Sequence, residues 1–445
     1  MEISRAVSVA QRTNVRYGIL LMIFIITTFN YADRATLSVT GTAMRQEFGI
    51  DAVQMGYIFS SFSWAYVLAQ LPSGWLLDRF GARRVYAASI FFWSLFTLLQ
   101  GSVGIVAGGA AIATLFALRF AMGIAEAPAF PANGKIVASW FPTAERGTAS
   151  AFFNAAQYCA AAVFTPLMAW LTHAFGWRHV YLAMGVAGFV LVLLWLKLMR
   201  SPSEHPRVNR AELDYIEQGG GTIQARGKTQ PAGMGGAASS FATIRQLLSN
   251  RMLLGVYLGQ YCINVLTYFF LTWFPLYLVQ ARGMTILQAG FAASVPAICG
   301  FAGGMLGGVL SDGMVRRGHS LTVARKVPIV GGMLLSVVMV GCNYVNANWL
   351  VVSLMALAFF GKGLGALGWA VIADTAPPEA VGLSGALFNL FGNTAGIVTP
   401  IVIGYVLGAT GSFNGALVFV GANALLTVFC YLVIVPDLKR IELRS

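Results

Sequence analysis

Only 10% of this 445-residue chain is Asp, Glu, Lys or Arg, while 57% is hydrophobic and the mean hydropathy is +0.72. A soluble domain covers its surface with about a quarter charged residues, so the composition excludes an ordinary water-soluble globule. Histidine and cysteine are scarce too, at four and five residues. His173, His179, His205 and His319 fall in predicted loops or at the ends of apolar runs. Cys159, Cys262, Cys299, Cys342 and Cys430 lie in or at the edge of those runs, at spacings that suit neither a zinc site nor a disulfide framework. They read as small apolar fillers. With no metal-ligand cluster, no nucleophile beside a base and no phosphate loop, the chain is not expected to be an enzyme or to hold a metal or cofactor.

Apolar sequence is what the chain has in abundance. A membrane crossing takes roughly 20 apolar residues, and spans are predicted near 17–37, 55–77, 84–104, 106–130, 147–172, 177–199, 252–280, 287–311, 327–345, 349–372, 381–407 and 414–436. The fold class expected is an all-α integral membrane protein of about twelve helices. The leader before the first run is short, polar and basic and lacks a small-residue cleavage site, so that run reads as a retained span rather than a signal peptide.

The net charge of +13 could suggest a nucleic-acid partner, but its distribution argues for topology. With the N-terminus inside, the inner segments hold Arg5, Arg12, Arg16, Arg79, Arg83, Arg84, Lys135, Arg146, the basic residues from Lys197 to Arg251, Arg316, Arg317, Arg325, Lys326, Lys439, Arg440 and Arg444. The outer segments hold only Arg45, Arg178 and Arg282. The asymmetry places both termini in the cytoplasm and implies a lipid bilayer, not a nucleic acid, as the partner.

A polar stretch at 200–250 divides the spans six and six, giving bundles at 1–199 and 251–445. Its first part can form a short amphipathic helix on the membrane surface, and its Gly-rich part reads as a linker. The halves carry matching signals, as transporters built from repeats do. Gly74, Asp78, Arg79, Gly81, Arg83 and Arg84 follow the second span, and Gly308, Asp312, Arg316, Arg317, Arg325 and Lys326 follow the eighth. The glycines would let helices approach closely, and the aspartates would hold the arginine cluster. Residues 74–84 match Gly-x-x-x-Asp-Arg/Lys-x-Gly-x-Arg-Arg/Lys at every defined position. In this the chain resembles the major facilitator superfamily. The resemblance implies two pseudo-symmetric six-helix bundles, a monomer by default, and a midplane site exposed alternately to either side.

Ionisable residues inside spans mark substrate or ion pathways by default. Five stand out: Asp33, Arg34, Arg119, Glu126 and Lys362. Asp33 and Arg34 could belong to a solvated helix end, although Asn30, Tyr31 and Arg34 fall at helical spacing on one stripe. Arg119 and Glu126 are seven residues apart, about 10 Å along a helix, so each needs a partner from another helix, from water or from a substrate. Lys362 follows Arg119 by 243 residues, as Lys326 follows Arg83, so the fourth and tenth spans each carry a cation at the equivalent position. With Arg34 as a third, these cations favour an anion in a cavity between the halves. Arg suits bidentate carboxylate binding and Lys supplies a point charge. Lys362 could equally pair with an acid or snorkel outward. Asp33 and Glu126 are the candidate proton carriers, and the proton is the expected coupling ion.

Neutral polar and aromatic residues surround these charges: Tyr66 and Gln70, Asn154 and Gln157, Gln260 and Asn264, Asn389 and Asn393, and Trp369. Their spacing suits a cavity-lining face and a polyhydroxylated substrate. Within the superfamily the chain is most similar to the anion–cation symporters, and among them to the bacterial hexarate permeases. The resemblance rests on NYADRATLS (30–38), MGYIFS (55–60), EAPAFPANGKIVASWFP (126–142), ERGTASAFFNAAQY (145–158), LTWFPLYLVQ (271–280), ALAFFGKGLGALGW (356–369) and DTAPPEAVGL (374–383). By resemblance to the related galactonate permeases, Tyr31, Arg34, Tyr66, Arg119, Gln157, Trp369 and Asn389 would contact substrate, while Asp33 and Glu126 would take up protons. The chain departs from that pattern at Lys362, where an uncharged residue is usual, and at Ala366, where a hydroxyl is usual. An added cation suits an added carboxylate and so a hexarate over a hexonate. A multidrug antiporter of the same fold would usually place acids where Arg119 and Lys362 stand, and a sensor without flux would share the same sequence features.

Overall fold

Lipid offers the backbone no hydrogen-bond partner, so each segment of a chain this apolar must satisfy its own peptide groups, and helices do so. The computed structural model describes residues 12–105, 109–221, 237–377 and 380–442, and no strand forms among them. Arg5, Arg444, positions 106–108 at the start of the fourth predicted span, the linker over 222–236 and positions 378–379 lie outside the described residues.

The first half comprises α1 (Val15–Phe48), α2 (Ala52–Phe80), α3 (Ala82–Ile105), α4 (Gly109–Trp140), α5 (Arg146–Phe175) and α6 (Trp177–Leu198). The connection holds α7 (Arg210–Gln218) and α8 (Ala237–Ser249). The second half comprises α9 (Arg251–Thr272), its continuation α10 (Phe274–Gln280), α11 (Ile286–Arg316), α12 (Leu321–Tyr344), α13 (Asn348–Thr375), α14 (Val381–Thr410) and α15 (Asn414–Ile434). Among the described residues, eleven helices are long and apolar enough to cross a membrane. The second predicted span, α2, has the length at 29 residues but not the hydropathy, because it carries Gln54, Ser60, Ser61, Ser63, Gln70 and Ser73. Its position explains the difference: α2 packs along both α4 of its own half and α14 of the other.

Glycine sets the closest helix crossings. A Cβ on Gly303 of α11 would sit 2.1 Å from the carbonyl oxygen of Phe360, and one on Gly363 of α13 would sit 2.2 Å from that of Gly300. Without a hydrophobic drive in lipid, such backbone-to-backbone packing is what joins helices.

The two halves meet at the end of the bundle away from the termini. There a Cβ on Gly56 of α2 would fall 2.6 Å from the Pro400 oxygen of α14, and one on Gly404 would fall 2.7 Å from the Ala52 oxygen. The hydroxyls of Tyr57 and Tyr405 are 3.1 Å apart, and Arg45 donates to Gln280 at 2.8 Å. At the opposite end a Cβ on Gly74 or Gly308 would meet nothing within 4 Å, so the close approach expected of these two glycines is not made in this conformation. Asp78 is not bound to the arginine cluster either. It accepts from Lys135, which α4 carries past the end of α2, while Arg83 donates to the Leu196 carbonyl at 2.7 Å. Asp312 accepts from Arg325 at 3.1 Å, and the same guanidinium reaches Asp374 at 2.9 Å.

The connection does form the expected short helix, but α7 docks on protein instead of lying free on the membrane surface. Ile216 is fully buried in the core of the first half. Glu212, also fully buried, accepts from Thr13 Oγ1 at 2.7 Å, Val15 N at 3.1 Å, and Arg16 N and Nη1 each at 3.2 Å. It thereby satisfies donors of the first turn of α1 that no preceding helical carbonyl can reach. Glu212→Ala is expected to destabilise the protein by about 1–3 kcal/mol, because the amides of Val15 and Arg16 would lose their buried acceptor, while the Arg16 guanidinium keeps Glu145 at 3.1 Å. A midpoint of thermal unfolding in detergent unchanged from wild type would refute this.

Candidate functional site

Two helices that cross the interior are broken near it. α4 stops at Glu126 and resumes at Ala129, with Pro128 at the gap, and α13 stops at Leu364 and resumes at Gly368. A helix that ends inside the bundle leaves its last carbonyls without helical partners and favours a cation nearby.

Beside the break in α4 that cation is Arg34. Its Nε donates to Glu126 Oε2 at 2.7 Å, in an ion pair that is 7% and 0% exposed. Asp33 and Arg34 therefore do not belong to a solvated helix end: they lie mid-helix in α1 and are buried. Glu126 finds its partner on another helix, as its distance from Arg119 requires. The rings of Tyr31, Phe62 and Tyr66 surround the guanidinium with centroids 4.9, 4.8 and 4.9 Å from its carbon. Asn30 is buried one helical turn before and lies against Glu126.

Arg119 is tucked behind this pair. Its guanidinium carbon stands 5.7 Å from the Phe62 ring, and its Nη2 lies 3.5 Å from the carbonyl oxygen of Arg34. Asp33 feels both Glu126 and Arg119 through space, yet neither of its carboxylate oxygens has a hydrogen-bond partner among the described residues. The first half thus holds two acids and two bases in one buried cluster. Written in their ionised forms, these four charges sum to zero.

Lys362 differs. It is 5% exposed and takes part in no ion pair or hydrogen bond among the described residues. Its Nζ stands 5.2 Å from the ring centroid of Phe359 and 5.7 Å from that of Tyr158. Arg119 makes no ion pair either, but Glu126 and Asp33 lie within its electrostatic reach, so the anion-favouring field expected of three cations rests mainly on Lys362.

A polar lattice on α9 and α14 faces the interior. Gln260 and Asn264 are linked at 3.4 Å, Asn393 donates to Asn389 Oδ1 at 3.0 Å, and Tyr268 donates to Asn393 at 2.9 Å. Gly392 lets α14 approach, since a Cβ there would be 2.6 Å from Asn264 Nδ2. Trp369 stacks edge-on against Phe388 at 4.9 Å and is 56% exposed. Gln157 lines a cavity between the halves with Tyr31, Ser38, Tyr158, Thr267 and Phe359. Gln70 makes no hydrogen bond to these groups among the described residues.

The candidates therefore fall into three sets. Asn30, Tyr31, Asp33, Arg34, Tyr66, Arg119 and Glu126 form one, the α9–α14 lattice with Trp369 a second, and Lys362 at its aromatic rings a third. Tyr268 was not singled out from the sequence, although it continues the stripe of Gln260 and Asn264 by four residues. Tyr158 and Phe62 carried no comparable signal.

Residues 23–323 match the Major Facilitator Superfamily. The chain belongs to that superfamily. A probable galactarate/D-glucarate transporter, GudP of Bacillus subtilis, is 61% identical over 438 residues, covering 98% of this chain and 95% of that protein. The D-galactonate transporter of Escherichia coli is 41% identical over 436 residues, covering 98% and 99%. The crystal structure of a bacterial homolog to the human lysosomal transporter Spinster superposes with a TM-score of 0.71 at 18% identity, covering 96% of this chain and 95% of that one. The fold of this superfamily member is thus a multi-pass helical transporter fold, and its resemblance to hexarate permeases agrees with the relatives found.

Proposed function

We propose that this protein is a proton-coupled symporter of the bacterial cytoplasmic membrane that imports a six-carbon dicarboxylate, galactarate or D-glucarate, by alternating access. Both termini would lie in the cytoplasm. The observation that carries the reading is the arrangement of charge: a neutral Asp33–Arg34–Arg119–Glu126 cluster in one half and an unpaired Lys362 in the other. A substrate with a carboxylate at each end answers both. The names of the relatives support the same substrates.

Anion import into a cell that is negative inside is opposed by about 2.3 kcal/mol per charge per 100 mV, so a co-transported cation is needed. One substrate carboxylate competes with Glu126 for Arg34. Glu126, released from its ion pair in a desolvated site, then accepts a proton. Asp33 has no hydrogen-bonding partner among the described residues to lose on protonation and serves as the second proton site. Arg119 balances these acids from behind. Gln157, Trp369, Asn389 and the Gln260, Asn264 and Asn393 amides offer donors and acceptors to the hydroxyls of the sugar acid. With the termini inside, the packing at the far end closes the outer side, and the separation at Gly74 and Gly308 corresponds to an inward-open state.

Counterflow in proteoliposomes tests this proposal, with galactarate, D-glucarate, D-galactonate and glucuronate offered at several pH values, with and without sodium. Galactarate and D-glucarate are expected to exchange and to compete with each other. No competition by any sugar acid would end the assignment, and transport driven by sodium alone would end the proton coupling. A hexonate symporter is the second reading, favoured by the galactonate relative. Galactonate exchanging better than either hexarate would select it.

A further inference from the structure

Lys362 carries the unpaired charge, yet one of the two rings that hold it comes from the other half. Tyr158 belongs to α5, and Lys362 and Phe359 belong to α13. The Tyr158 ring also meets Phe301 of α11 at 6.0 Å and Phe359 at 6.3 Å. Gly300 leaves room for it, since a Cβ there would stand 3.1 Å from Tyr158 Cε1. Tyr158 and Phe359 both line the cavity between the halves. An ammonium with no carboxylate at hand is stabilised by the faces of aromatic rings, and a long lysine side chain is otherwise free to turn away.

We propose that Tyr158 is a positioning residue that holds the Lys362 ammonium against the two rings that line the cavity, where the second carboxylate of a dicarboxylate substrate is received. This rests on the dicarboxylate reading above. Because the ring and the ammonium belong to different halves, the contact also makes recognition of the second carboxylate depend on how the halves sit against each other. Arrival of the carboxylate adds a charge-assisted hydrogen bond to an ammonium that the rings continue to hold, and the lysine needs no reorientation to make it.

The test uses the full-length protein in proteoliposomes, with labelled galactarate, and the variants Tyr158→Leu, Tyr158→Phe, Lys362→Met and Tyr158→Leu with Lys362→Met. Tyr158→Leu is expected to raise the KM for galactarate about tenfold, the cost of ordering one freed lysine side chain on binding, with Vmax changed less than KM. Tyr158→Phe keeps the ring and should stay within about twofold of wild type. In the Lys362→Met background the leucine should add nothing further, because the partner is gone. Each variant is checked for a monodisperse profile in detergent, so that misfolding is separated from lost positioning. Equal KM effects of Tyr158→Leu in both backgrounds, or a Tyr158→Phe as damaged as Tyr158→Leu, would overturn the assignment while leaving the symporter reading intact. Failure of the wild-type protein to exchange galactarate would instead overturn the reading on which it rests.

Discussion

Glu126→Gln is expected to retain counterflow exchange of galactarate while losing uphill accumulation. Glutamine has nearly the shape of glutamate and can still accept from Arg34 Nε, which now lies 2.7 Å from Glu126 Oε2. It cannot alternate between a carboxylate that binds Arg34 and an acid that releases it. Arg34 remains cationic and buried among Tyr31, Phe62 and Tyr66, so the substrate carboxylate keeps its partner and exchange between the two sides continues. If Glu126 carries one proton per cycle, the variant moves one more net negative charge inward. At 100 mV that forfeits about 2.3 kcal/mol of driving force, roughly a fiftyfold fall in the steady-state accumulation ratio. The measurement compares counterflow with accumulation driven by an imposed pH gradient and potential. Accumulation equal to wild type, with its pH dependence intact, would remove Glu126 from the coupling mechanism.

Arg34→Ala should look different, which makes the pair informative. It removes the cation that would receive the substrate and the ion-pair partner of Glu126, so both exchange and accumulation should fall. A variant lacking the acid retains binding and loses coupling, whereas a variant lacking the base loses binding.

The helices, the two matching halves and the identity of the ionisable residues buried mid-span were legible in the sequence, because lipid makes polar residues conspicuous. Which charges balance each other was not. Arg34 and Glu126 are 92 residues apart, and no spacing rule links positions on different helices. Reading Arg34, Arg119 and Lys362 as three comparable cations therefore overstated the field, since Arg34 is paired with Glu126 and Arg119 lies within electrostatic reach of both Glu126 and Asp33. The role of α7 was hidden for a related reason. Glu212 lies in a polar loop, where a solvated charge is the ordinary expectation, but the chain folds back and buries it at the start of α1. Gly74 and Gly308 show the limit of a motif: it marks a place where helices can come together, not whether they have done so in one conformation.

Gly56→Leu should cut transport by about five- to a hundredfold by disfavouring closure at the end away from the termini. The obstacle is backbone on both sides. A Cβ at Gly56 would lie 2.6 Å from the Pro400 oxygen and 3.3 Å from Ile401 Cα, and Gly404 on the facing helix is already packed with its Cβ direction 3.3 Å from Gly56 Cα. A flexible side chain could swing aside, whereas a carbonyl in a packed helix moves only if the helix does. Overpacking of this kind costs about 1–3 kcal/mol in a core, and here the strain falls on one state only, because separating α2 from α14 relieves it. A bias of about 1–3 kcal/mol changes the ratio of the two conformations by about 5- to 150-fold. Cross-linking reads that population directly. Cysteines placed at Tyr57 and Tyr405, whose ring centroids are 6.2 Å apart, should be bridged readily by a short bifunctional thiol reagent in the wild-type background and poorly beside Gly56→Leu. Gly18→Leu, at a position where a Cβ meets nothing within 4 Å, should leave cross-linking unchanged. Equal cross-linking with and without leucine at position 56 would mean that the contact between α2 and α14 does not control closure of the cavity.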